Sequence, residues 1–395
     1  MLRYAPVIGL VGLFSMRQEP PREWMEATGH RVVRLSDQAG TASLYFHQNP
    51  YTAAGDKMVV STPAGLSTIT LATRAIAPIV EGRVSGLVVG RKTRQAFYVK
   101  DGAAYATDID TGATRKILDD RRLRTGSGFG LNADETLLAG SFVTSDTAST
   151  PAPPNVATPA RPANPLATPP PQESSLEARW AQRLPMAIYT IDVKSGRLKI
   201  VYESTDWLNH VQMSPTDPTL ILYCHEGPWH KVDRIWTIRT DGSDRRLMHA
   251  RTMDMEIAGH EFFSADGKTV WYDLQTPKSD VFWLAGVEIA GGKRTKYSVA
   301  RADWSVHFNA SPDGRLFAGD GGGPKSVAAP GNGQWIYLFT PADGKLQSER
   351  LVDLSKHDYQ LEPNVTFTPD QKWIVFRSNM HGATHVYAVE VAKSR

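Results

Sequence analysis

Three histidines occupy equivalent places in a repeated pattern, and that coincidence is the chemical signal in this chain. Counting back four residues from seven recurrent turns reaches Gln48, Gly86, Gly128, His210, His260, His307 and Asn364. Three of the 11 histidines thus share seven slots with two glycines. Imidazole changes charge near neutral pH, so it serves as a proton acceptor or as a ligand to a metal ion. Histidines at one height of a scaffold could hold a cation with a base beside it. The runs on the same side, CHEGPWHKVDR from Cys224, DLQTPKSD from Asp273, GDGGGPKS from Gly319 and RSNMHGATH from Arg377, are rich in His, Asp, Lys, Arg and Gly. They contain His225, Glu226 and Arg234. Each has a plainer use: His210 as a satisfied hydrogen-bonding group, His225 and Glu226 as turn caps, Arg234 as a partner for Asp233.

The turns themselves predict the elements that carry these residues. TAAGDKMVVS, NADETLLAGS, SPTDPTLILYC, SADGKTVWYD, SPDGRLFAGD and TPDQKWIVFR each place a polar turn before a β-rich run, and GRKTRQAFYV is a degenerate seventh copy. Units of about 40 to 55 residues with this pattern and little helical periodicity predict a seven-bladed β-propeller. Each turn then joins the innermost strand of a blade to the second, and the slots above open the innermost strands around a central channel. HRVVRLS, near residues 30 to 36, is expected to close the last blade beside the C-terminal HVYAVEV, leaving no free sheet edge. Trp271, Trp335 and Trp373, which open apolar runs, are expected in the core, as is the thiol of Cys224.

Composition narrows the partners. In 395 residues, 44 Lys+Arg stand against 41 Asp+Glu, so no basic stripe points to nucleic acid. The single cysteine excludes an internal disulfide and a Cys-based zinc site. The apolar run from Ala5 to Phe14 is too short to span a bilayer, and could be the core of a signal peptide. Location is expected to be periplasmic if residues 1–20 act in that way, and cytoplasmic otherwise. The expected organisation is an N-terminal extension over 1–29 and one propeller over 30–395, interrupted at 144–173 by a Pro/Ala/Thr-rich surface excursion. Ser174 and Glu177 then read as the capping box of a short helix.

CHEGPWHKVDRIW, the GHEFF segment, HFNASPDG and FTPDQKWIVFRSNMHG together resemble the oligogalacturonate lyases, seven-bladed propellers that act on short pectin fragments. The resemblance covers most of the chain from about residue 30. It implies a metal-assisted β-elimination at a uronate, giving a 4,5-unsaturated product. His260 falls on the family's base, and Arg234 on an arginine that grips a substrate carboxylate. His225 would be a substrate contact beside it, with His210 and Gln48 lining the same opening. For the metal, the resemblance implies His307, with Gln360, Glu362 and Asn364 in place of the family's glutamine and His-Pro-His, and His357 in reserve. Trading imidazole for oxygen still suits Mn²⁺ and admits Ca²⁺ or Mg²⁺. The implied partner is a small acidic oligosaccharide.

Other readings stay open. A propeller serving only as a binding or interaction module would share the repeats but needs no base and ligand on neighbouring blades. A peptidase propeller lacks its G-x-S-x-G domain here. Glycoside hydrolysis would want two facing carboxylates, for which Asp273 and Glu362 are the candidates.

Overall fold

The computed structural model describes residues 19–144, 172–323 and 333–393. Seven blades surround a central channel, as the repeats predict. Most are antiparallel four-stranded meanders, for example Trp207–Met213, Leu220–Glu226, Ile235–Arg239 and Arg246–Leu247. The turns do the work expected of them. The Ser264 hydroxyl donates to Asp266 and accepts from the Thr269 N–H, while Gly267 takes a left-handed φ of 68° that closes the loop. The core lies between blades: Phe97 and Tyr189, for instance, pack in one cluster with Phe129 and Leu138.

Ring closure follows the expected register. Val32, Val33 and Arg34 pair with Val389, Ala388 and Tyr387. The N-terminal extension contributes one strand more, Glu23–Met25, outside Arg31–Arg34. Three expectations are corrected. Trp271, Trp335 and Trp373 are only partly buried against the clusters, whereas Trp304 is fully enclosed. The helix Gln172–Ala181 starts ahead of Ser174, so Ser174 lies inside its first turn and cannot be the cap. His210 and His260 are the fourth residues of Trp207–Met213 and Ile257–Phe263, placing them halfway along the channel wall instead of at its mouth. The Ala5–Phe14 run and most of the Pro/Ala-rich excursion lie outside the described residues, and no described helix is long and apolar enough to cross a membrane.

The repeated slot is a β-bulge. In four inner strands two residues face one partner: Gly86-Leu87, Gly128-Phe129, His210-Val211 and His260-Glu261. The first residue of each is left-handed, with φ of 55°, 68°, 48° and 47° respectively. Glycine takes this conformation without strain, and a Cβ on Gly128 would come within 3.2 Å of the Val211 N–H on the next strand. The two glycines therefore satisfy the bulge and its tight neighbours; they do not open space for a ligand. The two histidines carry strain of about 1–3 kcal/mol each, of the kind that collects at functional sites. His210→Gly is accordingly expected to unfold at higher temperature than His210→Ala, by the equivalent of about 1 kcal/mol. Ordinary strand positions give the opposite order, so thermal melts of the two variants check the assignment.

Candidate functional site

The first blade departs from its repeat. Three strands, Lys57–Thr62, Gly65–Thr70 and Ile76–Glu81, form its sheet, and the inner position is filled by an irregular segment held through bridges at Ala42 and Tyr51. Freed from strand geometry, this segment turns Tyr45, Phe46 and His47 into the channel. There they meet the histidines of other blades. Ring centroids of Tyr45 lie 4.9, 5.6 and 5.3 Å from His47, His210 and His307, and those of His260 and His307 are 4.6 Å apart.

Two of these imidazoles are oriented by a carboxylate. His260 Nδ1 lies 2.8 Å from Asp273, and His307 Nδ1 2.7 Å from Asp320, whose other oxygen accepts the His307 backbone N–H. Each aspartate follows its histidine by 13 residues, because the second strand of the hairpin returns it to the same height. With Nδ1 committed as donor, Nε2 of each ring is the acceptor nitrogen; that of His307 takes the Tyr45 hydroxyl at 3.3 Å, which a bound cation would displace. The His260 side chain is 18% exposed, so its Nε2 faces reachable space. His307 is fully buried; burial would lower its pKa, but Asp320 and Glu362 outweigh that and raise it.

The expected metal ligands come together only in part. His307 Nε2 lies 3.8 Å from the Glu362 carboxylate, and in Glu362, 46% exposed, partial desolvation is outweighed by His307 and Arg377, which hold its pKa below the ordinary value. That nitrogen and oxygen fit a borderline to hard cation such as Mn²⁺, with Asp320 fixing the ligand histidine from behind. Asn364 does not fit. It is fully buried and left-handed, its side-chain oxygen accepts the Phe46 N–H, and its amide donates to the Glu362 carbonyl. Gln360 is exposed on the loop. His357 is committed at both nitrogens, to Leu361 O at 2.6 Å and the Ser378 hydroxyl at 3.0 Å.

Arg234 sits within the wall of the channel. It is 4% exposed, and its Nε and Nη1 bond Glu261 and Glu226, so two of its three nitrogens are taken up by the protein and Nη2 is left for any substrate carboxylate. Burial would raise the Glu226 carboxyl, but Arg234 and His210 together hold it far below the carboxylate range. His210 Nε2 is 3.4 Å from Glu226, giving a buried network under the channel wall. His225 is one residue from both Cys224 and Glu226, so alternation sends it to the other face of the strand, 3.3 Å from Asp206. Gln48 faces the channel on the side of the S-x-D-G turns.

Sequence reasoning missed His47. The slot count assumed a regular inner strand and reached its neighbour Gln48. His47 Nε2 is buried without a hydrogen-bond partner, and burial together with the charges of His210 and His307 drives its pKa well down, leaving a neutral ring beside the others. Asp273 and Asp320 were legible in principle from the repeated 13-residue spacing. Beside the site, the Trp180 indole of the helix Gln172–Ala181 packs against Gly227, and Glu177 pairs with Lys231, clamping the His-Glu-Gly-Pro loop.

Comparison with known proteins agrees with this architecture. Two solved structures superpose on nearly the whole chain. One is an oligogalacturonate lyase in complex with manganese, with 23% identity, 94% of this chain and 96% of the other covered, and a TM-score of 0.78. The other is the oligogalacturonate lyase of Vibrio parahaemolyticus, with 22% identity, the same coverage and a TM-score of 0.77. The oligogalacturonate lyase of Dickeya dadantii is 29% identical over 216 residues, which are 52% of this chain and 55% of that protein; the chain thus spans about half the length of the curated relatives it matches. The family model described as oligogalacturonate lyase matches residues 180–395, more than half of the sequence and the stretch that holds His210, His260, His307 and Glu362. On that match the chain belongs to the oligogalacturonate lyase family.

Proposed function

We propose that this protein is a metal-dependent lyase that cleaves short oligogalacturonates by β-elimination, with His260 as the base. The observation that carries the reading is the strained bulge at His260: its φ of 47° points the ring into the channel, Asp273 fixes its Nδ1, and His307 lies 4.6 Å away between ring centroids. A binding module has no use for that expense.

In the proposed reaction His260 Nε2 takes the proton from C5 of a galacturonate bound at the channel wall. The electron pair of that C–H bond forms the C4=C5 double bond, and the bond from C4 to the glycosidic oxygen breaks. H-5 and O-4 lie on opposite faces of a galacturonate ring, so the leaving oxygen takes its proton from solvent on the far side. Asp273 stabilises the imidazolium formed at His260. His307 and Glu362 would hold the cation, most simply Mn²⁺, and the chemistry it supplies when bound is neutralisation of the C6 carboxylate, which makes C5 acidic. Arg234, locked between Glu226 and Glu261, holds the wall that carries His210 and His260, and His210, paired with Glu226, borders the channel as a substrate contact.

The test is direct. Protein stripped with chelator and reloaded with Mn²⁺ should produce the ultraviolet absorbance of an unsaturated uronate from digalacturonate, and Glu362→Ala should lower Mn²⁺ affinity by about 10- to 100-fold in a metal-binding titration. Absence of unsaturated product with Mn²⁺, Ca²⁺ and Mg²⁺ alike would overturn the reading.

A further inference from the structure

The channel is divided by the irregular segment of the first blade. On the side of the S-x-D-G turns, beneath Phe46 and His47, lies a cavity of about 450 Å³ whose lining includes none of His210, His260 and His307. Its walls mix apolar and polar surface, Phe129 and Phe262 among the apolar residues, and its polar groups are unusual for a passive void. Glu135 is the only carboxylate in the lining, and it is spent on the loop at the mouth: it accepts the Lys92 N–H at 2.6 Å, the Thr93 N–H at 3.0 Å and the Thr93 hydroxyl at 2.5 Å. This clamp fixes the loop so that Arg91 and Lys92 border the opening, and neither forms an ion pair with a described residue. Arg91 is reached by solvent yet ringed by the channel walls, which lower its pKa, Glu135 offsetting this only in part. Deeper in, Gln48 is 7% exposed and its side-chain amide bonds no described residue.

Two cationic side chains at the mouth without an ion pair to a described residue, aromatic faces on the wall and an amide open to the cavity make a site for an amphiphilic anion. We propose that this cavity, which touches the histidine cluster only through His47, is a second ligand site for a small organic carboxylate of about monosaccharide size. Arg91 takes the carboxylate as a planar fork, Lys92 adds to the field, the ring of the ligand lies against Phe129 and Phe262, and Gln48 bonds its far hydroxyl.

The experiment uses the full chain carrying His307→Ala, which cripples the histidine cluster, and titrates D-galacturonate by calorimetry, with D-galactose as the ring without a carboxylate. One galacturonate is expected to bind, at least 10-fold more weakly after Arg91→Gln and more weakly as salt rises, with no binding of galactose. In the otherwise native protein Arg91→Gln should leave the rate on digalacturonate unchanged, since the cavity does not border His260. Undetectable galacturonate binding at millimolar concentration, or binding indifferent to Arg91→Gln, overturns the proposal. Either result leaves the lyase reading standing, and loss of the lyase reading would leave this site untouched.

Discussion

Replacing His260 by alanine is expected to lower kcat on digalacturonate by about 10²- to 10⁴-fold while the protein stays folded, the range that a positioned base contributes. Stability should fall modestly, because alanine removes one buried interaction and relieves none of the backbone strain. The variant loses the bond to Asp273, stranding a carboxylate that is 4% exposed, at a cost of about 1–3 kcal/mol. Alanine also keeps the left-handed strain at φ 47°, so His260→Gly, which releases it, should be the more stable of the two and equally inactive. Asp273→Asn should lower kcat by a smaller factor, about 10- to 100-fold, since it disturbs the orientation of the ring without removing it. Initial rates of unsaturated product and circular dichroism check the set. A His260→Ala protein retaining a tenth of the native rate would exclude this residue as the base.

Arg234→Ala is expected to cost about 3–5 kcal/mol of stability, the largest structural effect predicted for this protein. Its guanidinium is shared between Glu226 and Glu261, which are 5% and 0% exposed, and removing it leaves two buried carboxylates without their cation. Glu261 already has one oxygen without a partner. Adding Glu261→Gln to Arg234→Ala should therefore recover part of the loss, at least about 1 kcal/mol, by removing one of the stranded charges. Arg234→Lys should not rescue, because a point charge cannot bridge two carboxylates as the planar fork does. Urea unfolding of the three variants measures this. If Arg234→Ala were as stable as the native protein but inactive, the arginine would act on substrate and the buried network would be incidental.

Much of the architecture was readable before any coordinates. Ser264-Ala265-Asp266-Gly267 specifies a turn through the side-chain bonds of Ser and Asp and the left-handed glycine, and its looser copies mark inner hairpins in six of the seven blades. Ring closure by Val32 and Val33 beside Val389 and Ala388 followed from the leftover strand at each end. The shared slot of His210 and His260 was equally visible, since equal distance from equal turns means equal height.

The failures share one cause. Slot counting assumes a regular strand, and it broke where the first blade replaces its inner strand by a looped segment: Gln48 was picked and His47 passed over. Resemblance named His225, Asn364 and Gln360 by type, but type does not say which way a side chain leaves the backbone or what already holds it.

What the linear chain determined by itself was local and periodic: turns, strand pairing, blade number, and that His210 and His260 share one height on the wall. Only the closed tertiary structure decided which polar groups are free. Glu226 and Glu261 take up Arg234, and Phe46 takes up Asn364. The physical reason is that availability for chemistry is what remains after buried hydrogen-bonding groups have paired, and that pairing joins residues hundreds of positions apart in sequence, as Phe46 and Asn364 are, 318 residues apart.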